Sequence, residues 1–391
     1  MITKTLYQKF LLLIPVMLLA GCVEPYQLQT NNFEQAIVIE ATITNELKNQ
    51  EIKISKTYRL EENGPTFETG AHVYLTDDQG TNYEFEEQSD KYVSVVPFQA
   101  IAGKRYLLNV VLSDGKTYQS APEVLTATNQ IESIMPAVIT NNEGERGVQF
   151  GVSSFDPTGN SKYYRYEYEE TYKIIAPYWK AVDLIYNMVT NQFEFVVKQT
   201  ESRTCYSTKL SNDILITATS GLSEDRITNF PVRFISTQDP IISYRYSVLV
   251  KQYIQNLESY TYYKTLRELS GSESLLSQNQ PGFFYGNIKN VDNPAEKVIG
   301  FFDVASVSKQ RIFFNYTDLF PDEPLPPYFY DCDLYQYDVA LDDPRTALIA
   351  ALANHQLFYY QNEGTVYSMV LPGCGDCTSF SSNVIPDFWE D

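Results

Sequence analysis

Short alternating runs of apolar and polar residues, separated by turn signals, constrain this chain more than any other feature. Ala36–Thr44 is β-branched and mostly apolar, and Gln50–Lys56 alternates cleanly. His72–Thr76 and Asn82–Glu86 flank the turn Asp77-Asp78-Gln79-Gly80. Arg105–Leu112 and Lys116–Ser120 flank Asp114-Gly115, a pair that tolerates the positive φ of a tight hairpin. Strands at this spacing, with no convincing helix among them, predict a small Ig-like or transthyretin-like β-sandwich over residues 35–128. Asp77 and Asp78 are read as turn formers rather than calcium ligands.

Asn129–Pro136 reads as a junction, and residues 129–391 as a larger β-rich domain. Its expected strands are Val148–Phe155, Tyr163–Glu169, Gln192–Lys198, Ile214–Thr219, Val232–Ile235 and Tyr244–Tyr253. The period then changes. Asn256 can cap a helix, Leu257, Tyr260, Tyr263, Leu266 and Leu269 recur at three-residue steps, and Gly271 stops the pattern. Pro281–Ile288, Val298–Ala305 and Arg311–Asn315 read as strands, and Pro344–Asn354 as a short helix. The expected fold class is therefore mainly β: an Ig-like or transthyretin-like sandwich, then a larger β-rich domain with one or two helices.

Asp318–Asp338 stands apart. Its prolines at 321, 324, 326 and 327 rule out a regular element over the first half. Tyr328, Phe329, Tyr330, Tyr335 and Tyr337 follow, and they are candidate partner-contact residues because aromatic anchors dominate interface energetics. An ordinary packed loop held by Cys332 is the competing reading.

The first residues carry an address. Lys4 and Lys9 precede an apolar run that ends at Leu19-Ala20-Gly21-Cys22. This is a positive segment, an apolar segment and small residues, the pattern of a secretory signal. The run is about a dozen residues long, where a spanning helix needs about 20. Leu-Ala-Gly-Cys reads as a bacterial lipobox, so residues 1–21 are expected to be a signal peptide and Cys22 the lipidation site. Residues 22–34 would form a polar tether. Cleavage would remove two of the 29 basic residues and none of the 49 acidic ones. So acidic a body is repelled by nucleic acid and by anionic lipid, and membrane attachment would rest on the lipid itself.

Cys205, Cys332, Cys374 and Cys377 remain, an even number that favours disulfides in an exported chain. Four cysteines allow three pairings; the expectation is the local pair Cys374–Cys377 with Cys205–Cys332. A redox motif should open a helix after a strand, and a four-cysteine zinc site usually shows two close pairs. Neither pattern is present around Cys374-Gly375-Asp376-Cys377.

Several of these stretches carry a resemblance. They are Gln280–Ile288 (Gln-Pro-Gly-Phe-Phe-Tyr-Gly-Asn-Ile), Val298–Phe302, the Cys22-Val-Glu-Pro start, Tyr106–Val110 with Tyr118–Ser120, Tyr246–Leu269, and Cys374–Cys377 with Pro386–Trp389. Together they span nearly all of the chain after Cys22, which resembles the Bacteroidota lipoprotein family known as domain of unknown function 4249. The resemblance implies an outer-membrane lipoprotein, often encoded beside a TonB-dependent receptor. It implies no established activity and no catalytic residues.

Chemistry has few footholds. His72 and His355 are the two histidines, and no His-Glu-x-x-His, Gly-x-Ser-x-Gly, phosphate loop or dinucleotide fingerprint occurs. Asp331 with Asp333 and Asp342 with Asp343 are the nearest carboxylate pairs for glycoside hydrolysis, and pairs of this kind arise by chance among 49 acidic residues. The expectation is a non-enzymatic, lipid-anchored accessory protein of the outer membrane, on the cell surface. It would need no cofactor or metal and would partner a TonB-dependent receptor in ligand capture or surface assembly. A stand-alone glycan- or peptide-binding lipoprotein is the alternative, ahead of a carboxylate-based hydrolase.

Overall fold

The computed structural model describes residues 35–59, 62, 64–270 and 285–391. The expected signal peptide, the tether with Cys22, Gly271 and the first half of the strand expected at Pro281–Ile288 lie outside these residues.

The fold is mainly β, as its sequence pattern predicts. The first unit contains β1 (Ile37–Thr44), β2 (Glu51–Lys56), β3 (Thr66–Phe67), β4 (His72–Asp77), β5 (Asn82–Gln88), β6 (Lys91–Ser94), β7 (Arg105–Val111), β8 (Thr117–Ser120) and β9 (Glu123–Val124). Next come β10 (Ile131–Thr140), β11 (Arg146–Phe155), β12 (Tyr163–Ile175), β13 (Val182–Asn187), β14 (Gln192–Val197), β15 (Thr204–Leu210), β16 (Leu215–Ala218), β17 (Arg226–Ser236) and β18 (Arg245–Gln255). Helix α1 (Leu257–Ser270) follows, then β19 (Ile288–Asn290), β20 (Val298–Asn315) and α2 (Tyr316–Leu319). The chain ends through β21 (Tyr335–Asp338), α3 (Asp342–Ala353), β22 (Phe358–Glu363), β23 (Val366–Val370) and α4 (Pro372–Gly375).

One strand joins everything. β20 is 18 residues long and pairs parallel with β1 through its first half, then antiparallel with β18 through its second. The resulting path runs β15-β12-β18-β20-β1-β2-β6-β5-β4-β7-β8-β19 as a single sheet. Alternation then decides what each half of β20 buries. Val298, Phe302 and Val304 enter the first core with Ile39, Ile43, Leu75 and Leu108. Phe314 enters a second core, with Ile312 packed against it. Between them Ser306 and Ser308 bond the crossing segment: the Ser306 Oγ donates to Ala127 O, and the Ile131 amide donates to Ser308 Oγ. The two serines break the apolar run but leave the strand extended, so Val298–Ala305 and Arg311–Asn315 are one strand rather than two.

The second core lies between β15-β12-β18-β20 and the three-stranded sheet β10-β11-β17. Tyr164, Tyr166, Tyr168 and Tyr172 of β12 all point into it and are at most 7% exposed. Glu170 is buried among them. It accepts from Arg233 Nε and Nη2, at 3.0 and 3.2 Å, and from the Tyr246 hydroxyl at 2.7 Å, fastening one sheet to the other.

Most of the expected junction Asn129–Pro136 is strand. Ile131 begins β10, and Pro136 is tolerated because β10 is an outer strand of its sheet. Pro231 sits in β17, the opposite outer strand. The expected α1 forms, with the Asn256 Oδ1 accepting from the Ser259 amide at 2.7 Å as a cap. Its buried face differs from the expected stripe: Ser259 and Tyr262 are buried, whereas Leu257 is 56% exposed. Asp77 is a turn former, its Oδ1 accepting from the amides of Gln79 and Thr81.

Candidate functional site

Two regions stand out. The first is the outer face of the sheet where β12, β18, β20 and β1 meet, the face opposite both cores. Alternation brings Arg165 and Glu167 of β12, Tyr253 and Gln255 of β18, and Asp303 of β20 to this side, and α1 lies across one end. Ala305, Val307 and Tyr253 form a small apolar floor. Arg165 is 7% exposed, and its guanidinium lies 4.3 Å from the Tyr253 ring centre and 4.7 Å from that of Tyr263. Its Nη1 pairs with Glu167, which also accepts the Tyr253 hydroxyl at 3.0 Å. Burial opposes both charges, but each supports the other: Arg165 is held above its ordinary range, and the Glu167 carboxyl below its own. Asp303 is fully buried, with Ser259 Oγ donating to it at 3.0 Å. Burial pushes its carboxyl up, and Arg165 pulls it part of the way back. Three buried polar atoms here have no hydrogen-bond partner among the described residues: Arg165 Nε, Asp303 Oδ1 and Gln255 Oε1.

The second region is a lobe at the C-terminal end. The hairpin β13–β14 packs on α3 and on the small sheet β21-β23-β22 around Leu184, Leu348, Ala351, Leu357 and Met369. Its tip is held by the Asn187 Oδ1, which accepts from the Val189 and Thr190 amides. The rest of the hairpin is open: Met188 is 81% exposed, Val189 94%, Val197 62%, and Ile185, Phe195 and Val196 more than 40%. An apolar cleft of 320 Å³ runs between the hairpin and α3, lined by Leu184, Ile185, Met188, Leu352 and Leu357. Isolated exposed apolar residues are ordinary, but six on one ribbon beside an apolar cleft are not.

The lobe is tied down covalently. The disulfides are Cys332–Cys374 and Cys205–Cys377, not the expected local pair. Cys374 lies in α4 and meets the segment entering the lobe, while Cys377 begins the next turn and is buried in the second core. The first bridge therefore closes β21, α3, β22 and β23 into one cross-linked segment, and the second pins its end to β15. On a chain-entropy account, a loop of this length contributes about 4 kcal/mol.

The aromatic segment expected to meet a partner is divided. The Tyr328 hydroxyl donates to Gly373 O at 3.0 Å, and Phe329 stacks on Tyr172 and packs on Phe380. Tyr337 packs against the lobe core. Tyr330 and Tyr335 are 43% and 40% exposed. The largest apolar exposure lies instead on the hairpin, whose first strand the sequence pattern does not reveal. His72 is exposed and lies 2.9 Å from Glu84, and His355 follows α3 on the rim of the apolar cleft. Asp331, Asp333, Asp342 and Asp343 are all exposed, the last two in the first turn of α3, where a helix N-terminus favours negative charge. Among the described residues no group of three or more His, Cys, Asp or Glu side chains is arranged to hold a metal, and no helix is long and apolar enough to cross a membrane.

The chain belongs to the family described as domain of unknown function DUF4249, whose model matches residues 23–311. The match ends within β20, so α3 and the small sheet of the lobe lie beyond it. No curated protein matches the chain. Among solved structures, it is similar to a pullulanase complexed with maltotetraose from Anoxybacillus sp. LM18-11 at 16% identity, over 55% of this chain, with a TM-score of 0.13. The chain spans only 22% of that enzyme. It also aligns with the B domain of a biofilm-associated protein at 9% identity, over 71% of this chain and 85% of that one, again with a TM-score of 0.13. Likenesses at this level carry no functional argument.

Proposed function

We propose that this protein is a non-enzymatic, lipid-anchored accessory protein of the outer membrane that docks through its C-terminal lobe onto the extracellular face of a TonB-dependent receptor. The observation that carries this reading is the exposed apolar hairpin on a lobe braced by two disulfides. Such a surface gains by being covered, and bracing lowers the ordering cost of covering it. A formal charge of −20 disfavours an anionic lipid surface as the cover and leaves a protein partner. The lipobox at Cys22 and the disulfides both fit an exported, membrane-tethered chain. Attachment through the lipid would leave the lobe free to meet a neighbour in the same membrane.

The test is affinity purification of the tagged, lipidated protein from detergent-solubilised outer membranes, followed by mass spectrometry. A TonB-dependent receptor is expected in stoichiometric yield with the native chain. Met188→Asp combined with Val189→Asp should cut that yield at least about tenfold, since two anchors at an interface centre are each worth 1 kcal/mol or more. The tip is exposed, so Tm should stay within about 2 °C. Native protein recovered alone, or an undiminished yield from the double variant, would refute the docking reading.

A further inference from the structure

We propose that the outer face of the sheet at the β12–β18–β20–β1 seam is a binding site for a small zwitterion, a free amino acid or a short peptide. The site is independent of how the lobe docks. It is a cavity of 690 Å³, within the size range of small-ligand sites, bounded by β1, β2, β12, β18, α1 and the loop Ser211–Ile214.

The charges decide the ligand class. Four cationic and four carboxylate side chains line the cavity, a balance unlike the acidic chain around it. Some are already engaged: Lys48 pairs with Glu46, Glu51 with Lys91, and Glu167 with Arg165. Lys53, Lys251, Glu40 and Asp213 make no ion pair among the described residues. Glu40 stands opposite Lys53 across β1–β2, and Glu167 opposite Lys251 across β12–β18, so charges of both signs face the cavity from both sides. A balanced lining of this kind discriminates against a purely anionic or purely cationic ligand, because each would meet as much repulsion as attraction.

Arg165 adds the anchor. Its side chain lines the cavity, is more than nine-tenths buried and is clamped between Tyr253 and Tyr263, while its Nε is itself enclosed and has no hydrogen-bond partner among the described residues. A guanidinium held this dry draws an ionised acceptor to whatever part of it the cavity exposes, since charge-assisted bonds are about twice as strong as neutral ones. A ligand carboxylate would take Arg165 and Lys251, and its ammonium group would take Glu40 or Asp213. Neutral sugars offer neither charge.

The experiment uses the full-length lipidated protein in detergent, with thermal unfolding and calorimetric titration. The probes are an equimolar mixture of random tripeptides with the free amino acids, the same tripeptides N-acetylated and C-amidated, and maltotriose. The zwitterionic mixture should raise Tm in a dose-dependent way, and the blocked peptides and maltotriose should not. Arg165→Gln should abolish binding. Because that change removes a buried clamp, Lys251→Gln and Asp213→Asn are the decisive variants. Each should weaken binding at least about fivefold with Tm of the free protein unchanged. An unmoved Tm at millimolar zwitterion, equal binding of the blocked peptides, or maltotriose binding indifferent to these substitutions would each overturn the proposal.

Discussion

Glu123 shows how one buried residue couples this fold to pH. It is 5% exposed on β9, and its two oxygens accept from the side-chain amides of Asn287, at 2.8 Å, and Asn256, at 2.7 Å. Neither amide can turn around: the Asn287 Oδ1 accepts from the Phe302 amide, and the Asn256 Oδ1 caps α1. These donors favour the ionised form, but burial, with Asp303 and Glu258 nearby, outweighs them and pushes the carboxyl up to about 7. The sign follows from linkage. A carboxyl raised in the folded state contributes most below its unfolded pKa, and that contribution is lost as pH rises through the folded value. The unfolding free energy should therefore fall between about pH 4.5 and 7.5, by about 2 kcal/mol once partial solvation is allowed for. Carbon-detected titration of the Glu123 carboxyl should give a midpoint near 7; a midpoint in the ordinary glutamate range would mean that the amide donors win.

At the scale of elements, β20 depends on glycine. Gly300 has φ +132°, and a Cβ there would lie 1.9 Å from Ile39 O on β1. A Cβ on Gly286 would lie 1.6 Å from Gly300 O, so three backbones stack too closely for any side chain. Gly300→Ala should destabilise the protein by about 3 kcal/mol or more, read by denaturant unfolding, whereas Gly221→Ala, in open space, should change little. Gly286 and Gly300 both fall in the stretches that carry the family resemblance, yet the role of Gly300 is invisible in the sequence, because it lies in a contact with a strand more than 250 residues away. The same division holds elsewhere. β1, β2, β4, β5, β7 and β8 are legible because alternation and turn residues act locally, and so is the Asn256 cap. Partnership is not legible. Nothing local tells β1 to pair with β20, Cys374 to choose Cys332, or Val196 and Val197 to face solvent rather than a core. Pro136 reads as a break until its strand is known to be an outer one. Arg165 is one of two cations in a tyrosine-rich strand, and the cavity it anchors exists only once four strands and a helix are assembled.

For the whole molecule, the consequence is that residue 128 is no place to cut. The first core takes Ile288, Val298, Phe302 and Val304 from beyond that point, all at most 2% exposed. Burial of such side chains contributes about 1.5–3 kcal/mol each, and a domain's entire stability is about 5–15 kcal/mol. A fragment of residues 35–128 loses this contribution, and it also leaves the paired edges of β1 and β8 open. The isolated fragment should therefore give no cooperative thermal transition and poor dispersion of its amide signals. Joining residues 285–305 to it through a flexible linker should restore both, because that segment supplies β19 and the half of β20 that belongs to the first core. The intact chain should unfold in one transition by calorimetry, since β20 cannot leave one core without straining the other. A fragment that folds alone, or two separated transitions in the intact chain, would show that the shared strand is an accessory to two self-sufficient domains. In that case the seam cavity would lie between bodies free to move, and the rigid clamp on Arg165 would no longer be a property of the fold.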